Sequence, residues 1–167
     1  MGGTVVRGST IKLLGMTALL TIAAASPGLA VDAARTVTIA AGADVVWAAI
    51  GDFCGIATWH PAIAKCALST DGGASLRTLT TKDGAVFLER QLAFEPARQS
   101  YSYSILESPL PVTGYRSTIR VEGLGTSSRV IWDSVFEPKE VTAAQAQTAI
   151  EGIYQAGLDS LKAKLEN

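Results

Sequence analysis

The sequence is short of the residues that hold metal ions. It contains one histidine and two cysteines among its 167 residues. It has no Cys-x-x-Cys and no His-x-x-x-His spacing, whereas a zinc site needs three or four such ligands. It also lacks a recognisable nucleophile–base pair. We therefore expect neither a metal site nor a cofactor.

Charge of either sign is scarce. Charged residues make up 17% of the chain, and the formal net charge is −1. Two of the basic residues, Arg7 and Lys12, lie in an N-terminal segment that we expect to be removed, which would leave the remainder slightly acidic. Proteins that bind nucleic acid or anionic membranes usually carry an excess of Lys and Arg. We therefore expect no partner of either kind.

The N-terminal hydrophobic run is too short to cross a membrane. It extends from Leu13 to Ala25, after Arg7 and Lys12, and is followed by the small-x-small sequence Gly28-Leu29-Ala30. A membrane-spanning helix needs about 20 apolar residues. A basic region, a short apolar region and a small-residue site in this order are typical of a secretory signal peptide. An uncleaved anchor is the alternative, which the Pro27–Gly28 break disfavours.

This pattern divides the chain into a signal peptide, residues 1–30, and a single domain, residues 31–167. It predicts a periplasmic or secreted protein. Export would place Cys54 and Cys66 in an oxidising compartment, where a disulfide can persist. The alternative is two buried free thiols, because Cys is among the most buried residue types. The spacing alone leaves both open.

Residues 85–121 contain three runs in which apolar and polar residues alternate. Such alternation puts every second side chain on the same face of a sheet. One face is mostly apolar, but it includes the carboxylate of Glu89, which is costly to bury without a partner. Ligand pockets have this composition, an apolar lining with a few polar groups. The face comprises Phe87, Glu89, Tyr101, Tyr103, Ile105, Tyr115, Ser117 and Ile119.

The turn Lys82-Asp83-Gly84 leaves the register of the hairpin before this stretch open. A three-residue loop with a bulge pairs Arg77 with Glu89, whereas a two-residue turn pairs Thr78 with Glu89. We favour the first, because it gives Glu89 a charge partner. The pair would then be either a structural ion pair or part of a ligand site.

The remaining pattern predicts an α+β domain. A strand at residues 36–39 precedes two short helices, at 44–53 and 56–64. Strands at 65–69, 75–81 and 129–136 complete an antiparallel set with those of residues 85–121. A capping box at Thr142–Gln145 begins a long helix that ends near Leu165. Its apolar stripe comprises Ala146, Ile150, Ile153, Tyr154, Gly157 and Leu161.

Gly157 lies inside this stripe, where Gly costs about 1 kcal/mol relative to Ala. Two explanations remain open at this stage. Either the helix packs closely on the sheet at this point, or the missing side chain leaves room for a ligand beneath the helix.

The chain contains five short motifs in a characteristic order: Trp47-Ala-Ala-Ile-Gly-Asp-Phe53, Trp59-His60-Pro61, Glu89-Arg90, Tyr103-Ser-Ile105 and Tyr115-Arg-Ser-Thr-Ile119. In their order and spacing they resemble the START-like superfamily of polyketide cyclases and lipid-transfer proteins, which includes Bet v 1-like proteins, and its exported bacterial members in particular. The likeness covers the whole domain.

The resemblance implies a helix-grip fold, in which a curved seven-stranded antiparallel sheet wraps around the C-terminal helix and encloses a hydrophobic cavity. Two short helices lie between strands 1 and 2. Plant abscisic acid receptors of this superfamily are similar to residues 85–118. That likeness places Glu89 and Tyr115 among polar pocket residues, Tyr103 and Ile105 in the cavity wall, and His60 where those receptors have a lysine.

The function that we expect is the binding or carriage of a small hydrophobic, lipid- or polyketide-like molecule. One alternative is a cyclase or dehydratase that uses His60, Glu89 and Tyr115 as acid–base groups. Another is an accessory protein that acts through its surface. The sequence does not specify an oligomeric state. The candidate ligand-binding residues are His60, Glu89, Tyr115, Tyr103, Ile105, Trp59, Phe87, Arg77, Trp132, Ile153 and Gly157.

Overall fold

The computed structural model describes residues 1–3 and 30–167. Most of the predicted signal peptide therefore lies outside the described residues, and its assignment stays a prediction. Among the residues that are described, none of the helices is long and apolar enough to span a membrane.

Within residues 30–167, seven antiparallel strands form one sheet, as predicted. Their spatial order is β1-β7-β6-β5-β4-β3-β2, so consecutive strands are neighbours except that β1 lies beside β7. The first strand is five residues longer at its start than predicted, because it pairs with β7 from Val31 onward. The strands are β1 (Val31–Ile39), β2 (Ile63–Asp71), β3 (Ala74–Thr81), β4 (Val86–Glu95), β5 (Ser100–Glu107), β6 (Val112–Leu124) and β7 (Ser127–Pro138).

Two short helices, α1 (Ala43–Ile50) and α2 (Ile56–Trp59), connect β1 to β2. The prediction that the second helix reaches residue 64 was wrong. Pro61 cannot donate a helical hydrogen bond, and Ile63 already pairs with Thr81 in the sheet. The first helix likewise ends at Ile50 rather than at residue 53, because Gly51 closes its last turn.

The C-terminal helix α3 (Ala143–Glu166) begins with the predicted capping box, in which Thr142 and Gln145 satisfy each other's backbone amides. Its buried stripe matches the prediction except that Leu158 belongs to it and Ile153 is half-buried. The helix packs chiefly along β1. Polar contacts join the two along their length: Gln147 to the Asp32 carbonyl, Glu151 to Arg35, Lys162 to the Thr38 carbonyl, and Glu166 to the Ala40 amide.

The two cysteines form a disulfide. Cys54, in the connection between α1 and α2, is bonded to Cys66 of β2, and their Cα atoms are 5.5 Å apart. The choice that the spacing left open is thereby resolved in favour of the bridge. It attaches the short helices to β2, the strand at one edge of the sheet.

The register of the β3–β4 hairpin is the predicted one. Arg77 pairs with Glu89 across the ladder. The loop has three residues and is closed by a 2.9 Å hydrogen bond from the Thr81 amide to the Ala85 carbonyl. Gly84 adopts a φ of +91°, which only glycine reaches without strain. Both charged side chains therefore lie on the same buried face of the sheet.

Candidate functional site

A row of buried polar side chains crosses the concave face of the sheet. Tyr103 pairs with Ser117, and Ser117 pairs with Ser134 on the next strand. Arg77 and Glu89 continue the row on β3 and β4. All five are buried, and Arg77 is completely inaccessible to solvent. Because side chains alternate along a strand, this register brings polar groups from five strands onto one face.

Arg77 and Glu89 form a buried ion pair. Arg77 Nε donates to Glu89 Oε2 over 2.5 Å, and Arg77 Nη1 donates to the carbonyl oxygen of Phe53. The guanidinium carbon lies 4.2 Å from the centre of the Phe53 ring and 4.9 Å from that of Tyr103, as in a cation–π contact. Nη2 is buried and has no hydrogen-bond partner among the described residues.

Burial has opposite electrostatic effects on the two members of this pair. Burial raises the pKa of Glu89, and the charge of Arg77 opposes that rise. Burial also disfavours the charge on Arg77, but the attraction of Glu89 outweighs this and raises the pKa of Arg77 above its ordinary value. The guanidinium therefore stays charged, and the carboxylate depends on it for its stability in the core.

A second group is a network of hydroxyls around Trp132. Trp132 Nε1 lies 3.1 Å from both the Tyr103 hydroxyl and Ser117 Oγ. Ser117 Oγ donates to the Asp133 carbonyl, so Tyr154, whose hydroxyl is 3.2 Å from it, must be the donor in their contact. Tyr154 in turn bonds to the hydroxyl of Tyr115.

These phenols are neutral hydrogen-bonding groups. Burial raises the pKa of Tyr154 to about 12 and raises the pKa values of Tyr103 and Tyr115 well above 10. A phenol serves as a general base only after it loses its proton. At neutral pH these three can therefore bind and orient polar atoms but do not remove protons.

His60 uses both ring nitrogens within the fold. The Ala62 amide donates to Nδ1 over 3.3 Å, so the proton of the neutral ring is on Nε2, which lies 3.1 Å from the Ile153 carbonyl and donates to it. Burial lowers the pKa of His60, the Ile153 carbonyl opposes this effect, and the charge of Arg77 adds to it. At neutral pH the side chain is therefore uncharged and joins α2 to α3.

Gly157 allows this contact. A β-carbon at this position would lie 2.6 Å from His60 Cδ2, closer than real β-carbons come to other atoms, and 3.1 Å from Trp132 Cζ3, which is a tight contact. Of the two explanations that the sequence left open, the structure therefore supports close packing. The space beside the glycine holds the rings of His60 and Trp132, and Trp59 packs edge-on against Trp132. Trp59 Nε1 is buried without a hydrogen-bond partner in the described part of the chain.

Two cavities flank the loop between β5 and β6. One, of about 380 Å³, includes Ile105 and Tyr115 in its wall. The other, of about 350 Å³, includes Phe87 and lies between this loop and the β3–β4 turn. Leu110 contributes to the walls of both. Three of the predicted pocket residues thus line open space at the rim of the sheet rather than beneath α3.

The family described as polyketide cyclase / dehydrase and lipid transport matches residues 30–166 of this chain. The chain belongs to this family. The match includes every element of the fold, from β1 to the last turn of α3. The predicted START-like, helix-grip architecture is thereby confirmed.

Two solved structures from bacilli are similar to this member of the family. An uncharacterized protein from Bacillus thuringiensis is 34% identical, with a TM-score of 0.77 over 81% of this chain and 99% of that one. The protein XoxI from Bacillus cereus is 36% identical, with a TM-score of 0.76 over 81% and 95%. The Zhui aromatase/cyclase from Streptomyces sp. R1128 shares the fold at 22% identity, with a TM-score of 0.68 over 83% and 94%. No curated protein matches the chain in sequence.

Within this family fold, the structure divides the predicted site residues into three groups. Arg77, Glu89 and Tyr103 lie around the ion pair. The second group surrounds Gly157 of α3. The third group lines the rim cavities, and one of its members, Tyr115, is also bonded to Tyr154. Their role in binding a ligand stays a prediction. The second group comprises Trp59, His60, Trp132, Ile153 and Gly157, and the third comprises Phe87, Ile105 and Tyr115.

Sequence reasoning did not select three residues that the structure places at these sites. Tyr154 was assigned to the apolar stripe of α3, although its position opposite a row of Tyr and Ser residues was a usable signal. Phe53 contributes its carbonyl group to Arg77, and no sequence pattern marks a main-chain acceptor. Leu110 lies in a loop, between two prolines, where periodicity gives no information. In residues 1–3 and 30–167, no cluster of three or more potential metal ligands occurs.

Proposed function

We propose that this protein binds one small, largely apolar molecule that carries hydrogen-bond acceptor oxygens, which enters through the rim cavities towards the concave face of its sheet. Four buried side-chain polar atoms lack a partner among the described residues, and two of them, the donors Arg77 Nη2 and Trp59 Nε1, carry the proposal. Buried donors are nearly always satisfied, and leaving one unmade costs about 1–3 kcal/mol. A bound carbonyl or phenolic oxygen would satisfy them.

The surroundings of these donors support a mostly apolar ligand. Arg77 lies among Phe53, Tyr101 and Tyr103, and Trp59 lies against Trp132. Aromatic walls with a few fixed polar groups are the usual composition of small-molecule sites. Membership of a family described by polyketide cyclisation and lipid transport supports the same class of ligand.

The state of the candidate acid–base groups favours binding over catalysis. Both nitrogens of His60 are hydrogen-bonded within the protein, and Glu89 is held by Arg77. The Tyr115 hydroxyl is bonded to Tyr154 and stays protonated at neutral pH. Each of the three is thus already engaged by another group of the protein. A cyclase or dehydratase would instead need an acid and a base within reach of one substrate.

Export is part of the proposal. The Cys54–Cys66 disulfide supports it, because such bridges persist in oxidising compartments and are rare in the cytosol. We propose that the signal peptide is cleaved before Val31 and that the protein acts in the periplasm or outside the cell. The intact mass of protein recovered from the periplasm tests this, since a mass that includes residues 1–30 would contradict cleavage.

Binding can be tested with Prodan, a neutral naphthalene dye with a ketone oxygen on a short acyl chain. We expect saturable binding with a blue-shifted emission. Trp59→Phe keeps the aromatic ring but removes the unpartnered donor, and it should weaken binding about ten-fold. Trp47→Phe is the matched control, because Trp47 is half-buried against Phe94 and its indole nitrogen is not a buried donor without a partner, and it should leave binding unchanged.

Three results would contradict the proposal. Absence of saturable Prodan binding would favour an accessory protein that acts through its surface. Equal binding by wild type and Trp59→Phe would mean that the donor is satisfied by internal water. Turnover of a co-purified molecule, detected by mass spectrometry, would favour the enzyme instead.

A further inference from the structure

The sheet is open between β5 and β6. Their pairing ends at Ser104 and Arg116, although β5 continues to Glu107 and β6 begins at Val112. Register irregularities where β5 pairs with β4, and where β6 pairs with β7, bend the two strands apart. On one side the β4–β5 register shifts between Leu88 and Glu89, and on the other the β6–β7 register shifts around Gly114, whose φ is +62°. Bulges of this kind end pairing and redirect a strand.

The cavity of about 380 Å³ occupies this opening. Tyr115 and Val112, both buried, form its inner wall, whereas Glu107 and Lys139 are exposed at its mouth. The space therefore passes from solvent towards the hydroxyl network, which Tyr115 joins through Tyr154. Its mouth is polar, whereas Ile105, Leu110 and Val112 contribute apolar surface to its walls.

The loop residue Leu110 lies between this cavity and the second one. Leu110 is the residue common to both walls, and it is half-buried against the core. Beyond it, the second cavity of about 350 Å³ is lined by Ala62, Ala85, Phe87 and Pro109 together with the β3–β4 turn. The two spaces would form one channel along the rim if the Leu110 side chain turned aside.

The backbone that carries Leu110 is held in place. Pro109 and Pro111 flank it and fix their own φ angles. Its amide donates to Ser108 Oγ over 3.3 Å, its carbonyl accepts from the Val112 amide over 2.8 Å, and the Lys139 amide donates to the Pro111 carbonyl over 2.8 Å. A change of side-chain rotamer is therefore the small movement available here, because moving the loop would break these hydrogen bonds.

We propose that Leu110 sets the length of the ligand by dividing a rim channel that enters the protein between β5 and β6. The matching ligand class is an elongated, largely apolar molecule whose chain passes Leu110 towards Phe87. This inference rests on the proposed function, because it takes for granted that a small molecule binds.

Two dyes with the same fluorophore test it. Prodan carries a short acyl chain and Laurdan a long one, so the ratio of their dissociation constants reports on chain length alone. Leu110→Ala should tighten Laurdan binding about ten-fold relative to Prodan, since a few added methylene contacts are worth that much. Leu110→Trp should change the ratio in the opposite direction, because the larger side chain closes the channel.

Leu124→Ala is the matched control. It removes the same atoms from an exposed leucine at the opposite end of β6, and the ratio should stay at the wild-type value. If wild type binds Prodan but neither Leu110 variant changes the ratio, the role of Leu110 is wrong and the proposed function stands. If wild type binds neither dye, the proposed function itself fails. An equal change in Leu124→Ala would also overturn the inference, because the effect would then be general loosening of the sheet.

Discussion

The ring of His60 occupies the place that a β-carbon on Gly157 would need. The two residues are far apart in sequence, and their approach lets His60 donate to the Ile153 carbonyl on the preceding turn of α3. A glycine that is unfavourable for an isolated helix thus permits a hydrogen bond between two elements of the core. The direction in which a substitution of Gly157 changes the free energy of unfolding can therefore be predicted.

Gly157→Ala should destabilise the protein by about 1–3 kcal/mol, because forcing an extra carbon into a packed site costs more than the higher helix propensity of Ala returns. Gly152→Ala in the same helix is the control. No atom lies within 4 Å of a β-carbon there, so the substitution should stabilise by about 1 kcal/mol. Urea denaturation of both variants measures the difference. Equal effects of the two would show that the site can relax around the added atom.

Glu89→Gln should destabilise the protein by about 3 kcal/mol, because it leaves the buried charge of Arg77 without its counter-ion. Replacing both partners by Leu and Met should cost far less, since no charge is then buried. Asp71→Asn, which breaks the exposed ion pair with Arg90, should change the free energy of unfolding by less than about 1 kcal/mol. Thermal unfolding of the set would contradict the argument if the double variant were the least stable.

Acid should weaken the fold through His60. Its pKa is lowered in the folded state by burial and by the positive charge of Arg77, whereas in the unfolded chain histidine titrates near its ordinary value of about 6.5. The unfolded state therefore binds the proton first, so this contribution is complete above pH 6.5 and is lost as the pH falls towards the lower, folded pKa. The slope cannot exceed about 1.4 kcal/mol per pH unit for one group.

The measurement is the free energy of unfolding between pH 7.5 and 5, compared with that of His60→Gln. Because the chain has a single histidine, the difference between the two curves isolates it. The subtraction also removes the contribution of Glu89, whose raised pKa acts in the opposite direction. Parallel curves would mean that His60 is protonated as readily in the folded protein as in the unfolded chain.

Removal of the Cys54–Cys66 bridge should cost about 3 kcal/mol, the loop-closure value for a ring of this size. Cys54→Ser combined with Cys66→Ser is the variant to compare with wild type. Thiol titration of denatured, unreduced protein should first find no reactive thiol. Two reactive thiols per chain in exported protein would contradict the bridge itself.

Periodicity predicted the sheet well because its faces differ sharply in polarity. The Arg77–Glu89 register followed from one assumption, that a buried carboxylate needs a charge partner, and the structure confirms it. The end of α2 was missed because Ile63 and Ala64 suit either a helix or a strand, and the pairing of Ile63 and Lys65 with β3 decides. The preference of a residue for a helix or a strand gives no information about a pairing partner that is distant in sequence.

The site was harder to predict than the fold. Alternation placed Glu89, Tyr103 and Tyr115 on one face but could not show that His60 would lie against α3. That contact depends on the angle between the helix and the sheet, which no sequence pattern encodes. The opening between β5 and β6 was equally invisible, since it arises where two bulges bend strands that both look regular in sequence.

The polar contacts that join α3 to β1 have a mechanical consequence. Helix and edge strand are fastened together from Gln147 to Glu166, and at the other edge the disulfide fastens β2 to the short helices. Two connections thus hold the opposite edges of the sheet: the non-covalent contacts between α3 and β1, and the covalent disulfide at β2. The opening between β5 and β6 lies between these two edges, so the sheet is held in shape on both sides of the rim cavities.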